Sequence, residues 1–123
     1  MKERIIIDCD PGQDDAIALL LALSSPDELD VLGITTVAGN VPLHLTERNA
    51  RMMCDIADRS DVPVFAGCAQ PMVRALITAE QVHGTTGIDG TELFEPRRQL
   101  ESRHAVDFII DTLLRSADAT VTL

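Results

Sequence analysis

Residues 5–23 read IIIDCDPGQDDAIALLLAL, and the fold follows from how this stretch changes character. Ile5, Ile6 and Ile7 show no alternation, the pattern of a parallel strand covered on both faces. A strand is expected over Arg4–Asp10, and Pro11-Gly12 stops it. Asp14 to Leu23 then reads as a helix with acids in its first turn, where the macrodipole favours negative charge. Ser24, Ser25 and Pro26 end it. Four carboxylates, Asp8, Asp10, Asp14 and Asp15, therefore stand within eight residues, between apolar runs that read as fully buried. No Lys or Arg occurs from residue 5 to residue 47 to balance them.

Outward from this junction, Asp30–Val37 reads as a second strand, followed by Ala38-Gly39-Asn40. Pro42 suits the first turn of a helix. Leu45, Asn49, Met52, Met53 and Ile56 recur at helical spacing and carry that helix to about Ala57 or Asp58. Val62–Phe65 is a short third strand with its Pro near the start. Residues 67–100 have weak periodicity, and VHGTTGIDG at 82–90 reads as turn chemistry. So long a loop in a compact domain is functional or hides short elements. Ser102 is the expected cap of a helix striped by Val106, Ile109, Ile110, Leu113 and Leu114. Ala119–Leu123 reads as a last strand.

This order predicts an α/β domain: a Rossmann-like open, mainly parallel sheet with helices on both faces. In such sheets ligands bind beyond the carboxyl ends of the strands, where Asp10, Asn40 and the segment after Phe65 fall. Residues 1–123 read as a single domain. A strand at the last residues, with nothing to follow it, predicts the N-terminal part of a longer protein.

The composition narrows the chemistry. Hydrophobic residues make up 46% of 123, enough for a core. A net charge of −10 argues against nucleic acid or an anionic membrane and is compatible with a cation. Cys9, Cys54 and Cys68 have no metal-type spacing and read as free thiols of a reducing, cytoplasmic compartment. Lys2, Glu3 and Arg4 lead straight into a strand-like run, unlike a signal peptide. The longest apolar run, Ala16 to Leu23, is too short to cross a bilayer.

Alternation places Asp8 and Asp10 on one strand face and Cys9 on the other. With Asp14 and Asp15 opening the helix, the turn is expected to fold the acids toward one small volume. Crowded carboxylates lose hydration and repel. One can take a proton, helix N–H groups can donate to them, or a hard divalent cation can sit among them. The bland alternative has Asp14 and Asp15 decorating a helix start while Asp8 caps a turn. The absence of nearby basic residues favours the cation.

DCDPGQDDAIALLLAL resembles the D-x-D-P-G-x-D-D signature of the inosine–uridine-preferring nucleoside hydrolases. GITTVAGN (33–40), NVPLHLTERNA (40–50), VPVFAG (62–67), VHGTTGIDG (82–90) and RHAVDFIID (103–111) appear in that family's order, so the resemblance covers essentially the whole chain. It implies a Ca²⁺-dependent ribonucleoside hydrolase that cleaves the N-glycosidic bond to ribose and free base. Asp10 would ligate Ca²⁺ and act as general base on water. Asp15 would be a second Ca²⁺ ligand, Asp14 and Asn40 would bind ribose, and His83 would lie near the leaving base. Asp8 would support. Carboxylates suit an oxocarbenium-like ribose, and a metal lowers the pKa of its water. The resemblance also implies a homo-oligomer, dimer or tetramer, and further Ca²⁺ ligands beyond Leu123, so that this chain alone is expected to be inactive.

His44 and His104, on or beside helices, read as surface or packing residues. Asn49 interrupts an apolar stripe; it either satisfies a buried backbone group or supports the pocket. Met52, Met53 and Cys9 read as packing. Two rival readings remain. In a haloacid-dehalogenase-like Mg²⁺ phosphatase Asp8 would be the nucleophile, although Pro11-Gly12-Gln13-Asp14-Asp15 is not that family's continuation. The other is a non-catalytic metal-binding or oligomerisation remnant.

Overall fold

The computed structural model describes residues 1–123. Its elements are β1 (Glu3–Cys9), α1 (Gln13–Leu23), β2 (Leu29–Thr36), α2 (Leu43–Ile56), β3 (Val64–Ala66), α3 (Glu80–His83) and α4 (Ala105–Arg115). The strands pair in parallel in the order β1-β2-β3. No helix is long and apolar enough to cross a membrane.

The two sheet faces are covered differently. Ile5, Ile7 and Cys9 pack against a core that α1 and α2 build with Val31, Ile34 and Val64. A register shift between Ile5 and Ile6 moves the pairing on by one residue, from Ile5 with Val31 to Ile6 with Gly33. On the other face the rings of Phe65 and Phe108 stack 4.0 Å apart at 12°. A Cβ on Gly33 would lie 2.7 Å from Phe108, so glycine lets α4 reach the sheet. Phe65 is 6% exposed. Phe65→Ala is therefore expected to cost about 3 kcal/mol or more of unfolding free energy, read from urea denaturation.

Five expectations change here. The apolar run of α1 is not fully buried: Ala16, Leu19 and Leu23 are inside, while the helical period turns Ile17 (67% exposed) and Leu21 (70%) outward. The strand at 119–123 shrinks to one bridge, Thr122 to Ile5, on the free edge of β1. Ala119 has φ +55, which no strand accommodates, so extended chain begins only after it. The cap of α4 is His104 rather than Ser102, its Nδ1 accepting the Val106 N–H at 3.1 Å. Val106, Ile110, Leu113 and Leu114 of that helix stay exposed, and Phe108 and Ile109 are half-buried. Finally, Val82 and His83 belong to α3, a single helical turn, rather than to a loop.

Candidate active site

Parallel strands bring the ends of β1, β2 and β3 to one rim. The chain after β2 is laced across it: Val37 N–H donates to the Cys9 carbonyl (3.2 Å) and Ala38 N–H to the Cys68 carbonyl (3.0 Å). Asp10 emerges beside this crossing. Its Oδ2 accepts the Asn40 backbone N–H at 2.7 Å, and Asn40 Nδ2 donates to the Asp10 carbonyl at 3.0 Å. The Asp10 carboxylate lies so close to Gly39 that a Cβ there would overlap it. Asp10 is thus clamped through one carboxylate oxygen, and no protein donor engages the other.

Asp15, half-buried in the first turn of α1, has its carboxyl pushed above the usual range. Burial is the main cause, then the charges of Asp14 and Asp10; backbone N–H groups of Asp10 and Gly12 pull the other way. Asp14 is exposed. Asp8 is also exposed, and its Oδ1 accepts the Thr35 hydroxyl at 2.6 Å across the rung that pairs the two residues. The acids therefore do not close into one volume. No group of three or more His, Cys, Asp or Glu side chains is placed to hold a metal ion. Thr35 draws Asp8 back onto the sheet, and the helix start sets Asp14 on an outward face. Asp10 and Asp15 remain as a coupled pair.

His83 is brought to the same turn from far along the chain. Its Nδ1 accepts the Gln13 N–H at 3.2 Å, which leaves Nε2 to carry the proton of the neutral ring. The ring packs on Gly12, where a Cβ would lie 2.5 Å from Nδ1. Ala79 N–H donates to the Asn40 carbonyl at 2.8 Å and Gln13 Nε2 to the Asp89 carbonyl at 3.3 Å, holding both flanks of the segment. Asp89 caps its own loop through the Thr86 hydroxyl and the Thr85 and Thr86 N–H groups, which lower its carboxyl pKa. Asn49 Nδ2 donates to the Pro11 carbonyl at 3.1 Å and the Thr86 carbonyl at 2.8 Å, satisfying buried backbone as expected.

His44 is exposed, and Met52 and Met53 are buried. The three cysteines are free, and burial pushes the Cys54 thiol up to about 11 and Cys9 higher still. Gly39, Thr35 and Gln13 were not singled out from sequence. All three lie in or beside the motifs, but their contacts depend on strand register and on chain crossings that spacing does not encode.

A parallel sheet with carboxylates, an amide and an imidazole at its carboxyl rim defines an α/β protein whose candidate site lies where such sheets bind small molecules. The chain belongs to the inosine-uridine preferring nucleoside hydrolase family, whose match spans residues 5–123. It is 51% identical over 123 residues to the pyrimidine-specific ribonucleoside hydrolase RihB of Escherichia coli, covering 99% of this chain and 38% of that protein. An uncharacterised Schizosaccharomyces pombe protein is 56% identical over 120 residues, covering 98% of this chain and again 38% of the relative. Among solved structures, a plant nucleoside hydrolase superposes with TM-score 0.88 at 33% identity over 98% of this chain and 38% of its own. A purine-preferring ribonucleoside hydrolase from Gardnerella vaginalis gives 0.83 at 33% identity over 91% and 36%. The chain thus spans well under half the length of these relatives. Membership over nearly the whole chain overturns the phosphatase reading of Asp8, which is in any case committed to Thr35.

Proposed function

We propose that this chain supplies the ribose- and ion-binding rim of a ribonucleoside hydrolase, which releases free base from ribose by attack of water. The observation that carries this reading is the clamped Asp10, held through Oδ2 by Asn40 and Gly39 with its other oxygen open.

Calcium fits these residues as part of a shell. Asp10 and Asp15 are hard oxygen donors crowded together, and Asp15 has no cationic partner to offset its burial. Calcium takes about six to eight oxygens, so Asp10 and Asp15 would hold it as a share of its ligands. When bound, the ion supplies fixed positive charge that orients the ribose diol and makes a water more acidic. Asp10 receives the proton of the attacking water as general base. Asn40 and Asp14 take the ribose hydroxyls. The carboxylates lower the energy of the oxocarbenium-like ribose as the bond to the base breaks. His83, with Nδ1 committed to Gln13, offers its Nε2–H to the leaving base.

The test is ribose release from inosine and uridine by the native protein, before and after calcium chelation, with calorimetry of Ca²⁺ on this chain. Chelation is expected to remove most of the activity and added Ca²⁺ to restore it. Turnover that is indifferent to chelation would exclude the ion, and absence of ribose release from both nucleosides would exclude the reaction.

A further inference from the structure

Asn49 is fully buried in α2, yet it is not there as an efficient filler. Both protons of its amide are used, one on the Pro11 carbonyl and one on the Thr86 carbonyl. Its Oδ1 is buried with no partner, a state that weakens a fold, where an apolar side chain of similar volume would leave nothing unsatisfied. Gly87, at φ +86, lies against it; a Cβ there would come within 2.9 Å of Asn49 Nδ2 and 3.1 Å of the Pro11 carbonyl. Three segments distant in sequence therefore meet at one amide: the middle of α2, the turn next to Asp10, and the loop that follows His83.

From this junction we infer that Asn49 is a positioning residue, which holds the acidic turn and the histidine loop in fixed relation. Pro11 follows Asp10 directly, and Thr86 lies three residues after His83. Two bonds from one rigid amide fix both carbonyls against the same helix. The Gln13 N–H to His83 Nδ1 contact, at 3.2 Å, spans the two segments so held and should depend on them. Without Asn49 the turn and the loop would keep the Gln13 contacts to His83 and Asp89 but lose their common anchor on α2. The catalytic side of this inference rests on the hydrolase reading above; the anchoring itself does not.

The experiment compares the wild-type chain with Asn49→Leu, which keeps the number and branching of the side-chain heavy atoms and removes both donors. Exchange of the Gln13 amide is expected to accelerate at least about tenfold. The ¹⁵N shifts of the His83 ring are expected to lose the signature of a fixed Nε2–H tautomer. The Ile34 amide, bonded to Pro63 in the sheet, should keep its protection. Calcium affinity should fall about tenfold, the scale of a lost support behind a metal ligand. A folded Asn49→Leu with wild-type Gln13 exchange and an unchanged His83 tautomer would overturn the proposal. Should that variant fail to fold, the wild type decides: slow exchange of both Asn49 side-chain amide protons supports the anchor, and rapid exchange overturns it. A wild-type chain that binds no Ca²⁺ would sink the calcium reading alone, because the exchange and tautomer measurements do not involve the ion.

Discussion

Asp10→Asn is expected to lower ribose release by the native protein roughly 10²–10⁴-fold, the contribution of a positioned general base. The substitution is nearly isosteric. With its amide oxygen toward Asn40 the new side chain still accepts that N–H, so the rim keeps its shape while the negative charge and the proton acceptor are lost. Gly39→Ala tests the same group without touching it. The new methyl would overlap the Asp10 carboxylate, which must move aside. Gly39 lies outside the left-handed region, so alanine meets no backbone strain there. A displacement near 1 Å at a reacting group is enough for about 100-fold in rate. The expected pattern is two variants with wild-type circular dichroism and melting, both slow in turnover. Full activity in Asp10→Asn would remove Asp10 from the chemistry; full activity in Gly39→Ala alone would show that the clamp is not needed.

That pairing illustrates which parts of the molecule could be read in advance. The β1–α1 junction was recoverable because each local signal agrees: an unbroken isoleucine run, Pro-Gly, then acids before an apolar helix. The middle of the α2 stripe was recoverable for the same reason: Asn49, Met52 and Met53 are buried where the spacing placed them, whereas Ile56, at the end of the helix, is exposed. The cap of α4 was not. Ser102 is the better capping residue by type, but the backbone turns helical only after His104, whose ring nitrogen can do the same work. Helix α3 has no apolar period; contacts from Asn40 and Gln13 hold it. Element order alone puts Asp10 and Asn40 at the carboxyl ends of their strands, while His83 is singled out only by the motifs that carry the family resemblance. Spacing alone leaves His83 an ordinary loop residue, since the turn it packs on lies 70 residues away. Asp8 has the strand parity expected, but its partner Thr35 depends on a register shift that no pattern within β1 announces. Gly39 matters for the atom it lacks, which residue chemistry does not reveal.

Asp15→Asn should separate the stability of the ion-free chain from its response to calcium. Burial, Asp14 and Asp10 together raise the Asp15 carboxyl above its ordinary value. The folded chain therefore binds this proton more tightly than the unfolded chain does. Above the raised pKa the ionised carboxylate weakens the fold, and the penalty is relieved as pH falls through that value. Asparagine removes the charge at every pH. In chelator at neutral pH, Asp15→Asn is thus expected to melt above the wild type, and the gap to close on acidification as wild-type Asp15 protonates. Calcium should reverse the order. A ligand that binds only the folded state stabilises by RT ln(1 + [L]/Kd), about 2.7 kcal/mol at a hundred times Kd. The wild type is expected to gain on that scale, and Asp15→Asn, with one ligand gone, to gain little. The four melting curves, two proteins with and without Ca²⁺, contain the whole test. An equal calcium shift in both proteins would mean that Asp15 holds no ion. A variant that melts below the wild type in chelator would mean that the N–H groups of Asp10 and Gly12, together with the helix dipole, outweigh burial and the neighbouring acids. The expected crossing has a direct physical reading: the carboxylate that burial and its acidic neighbours disfavour would be the one that holds the ion.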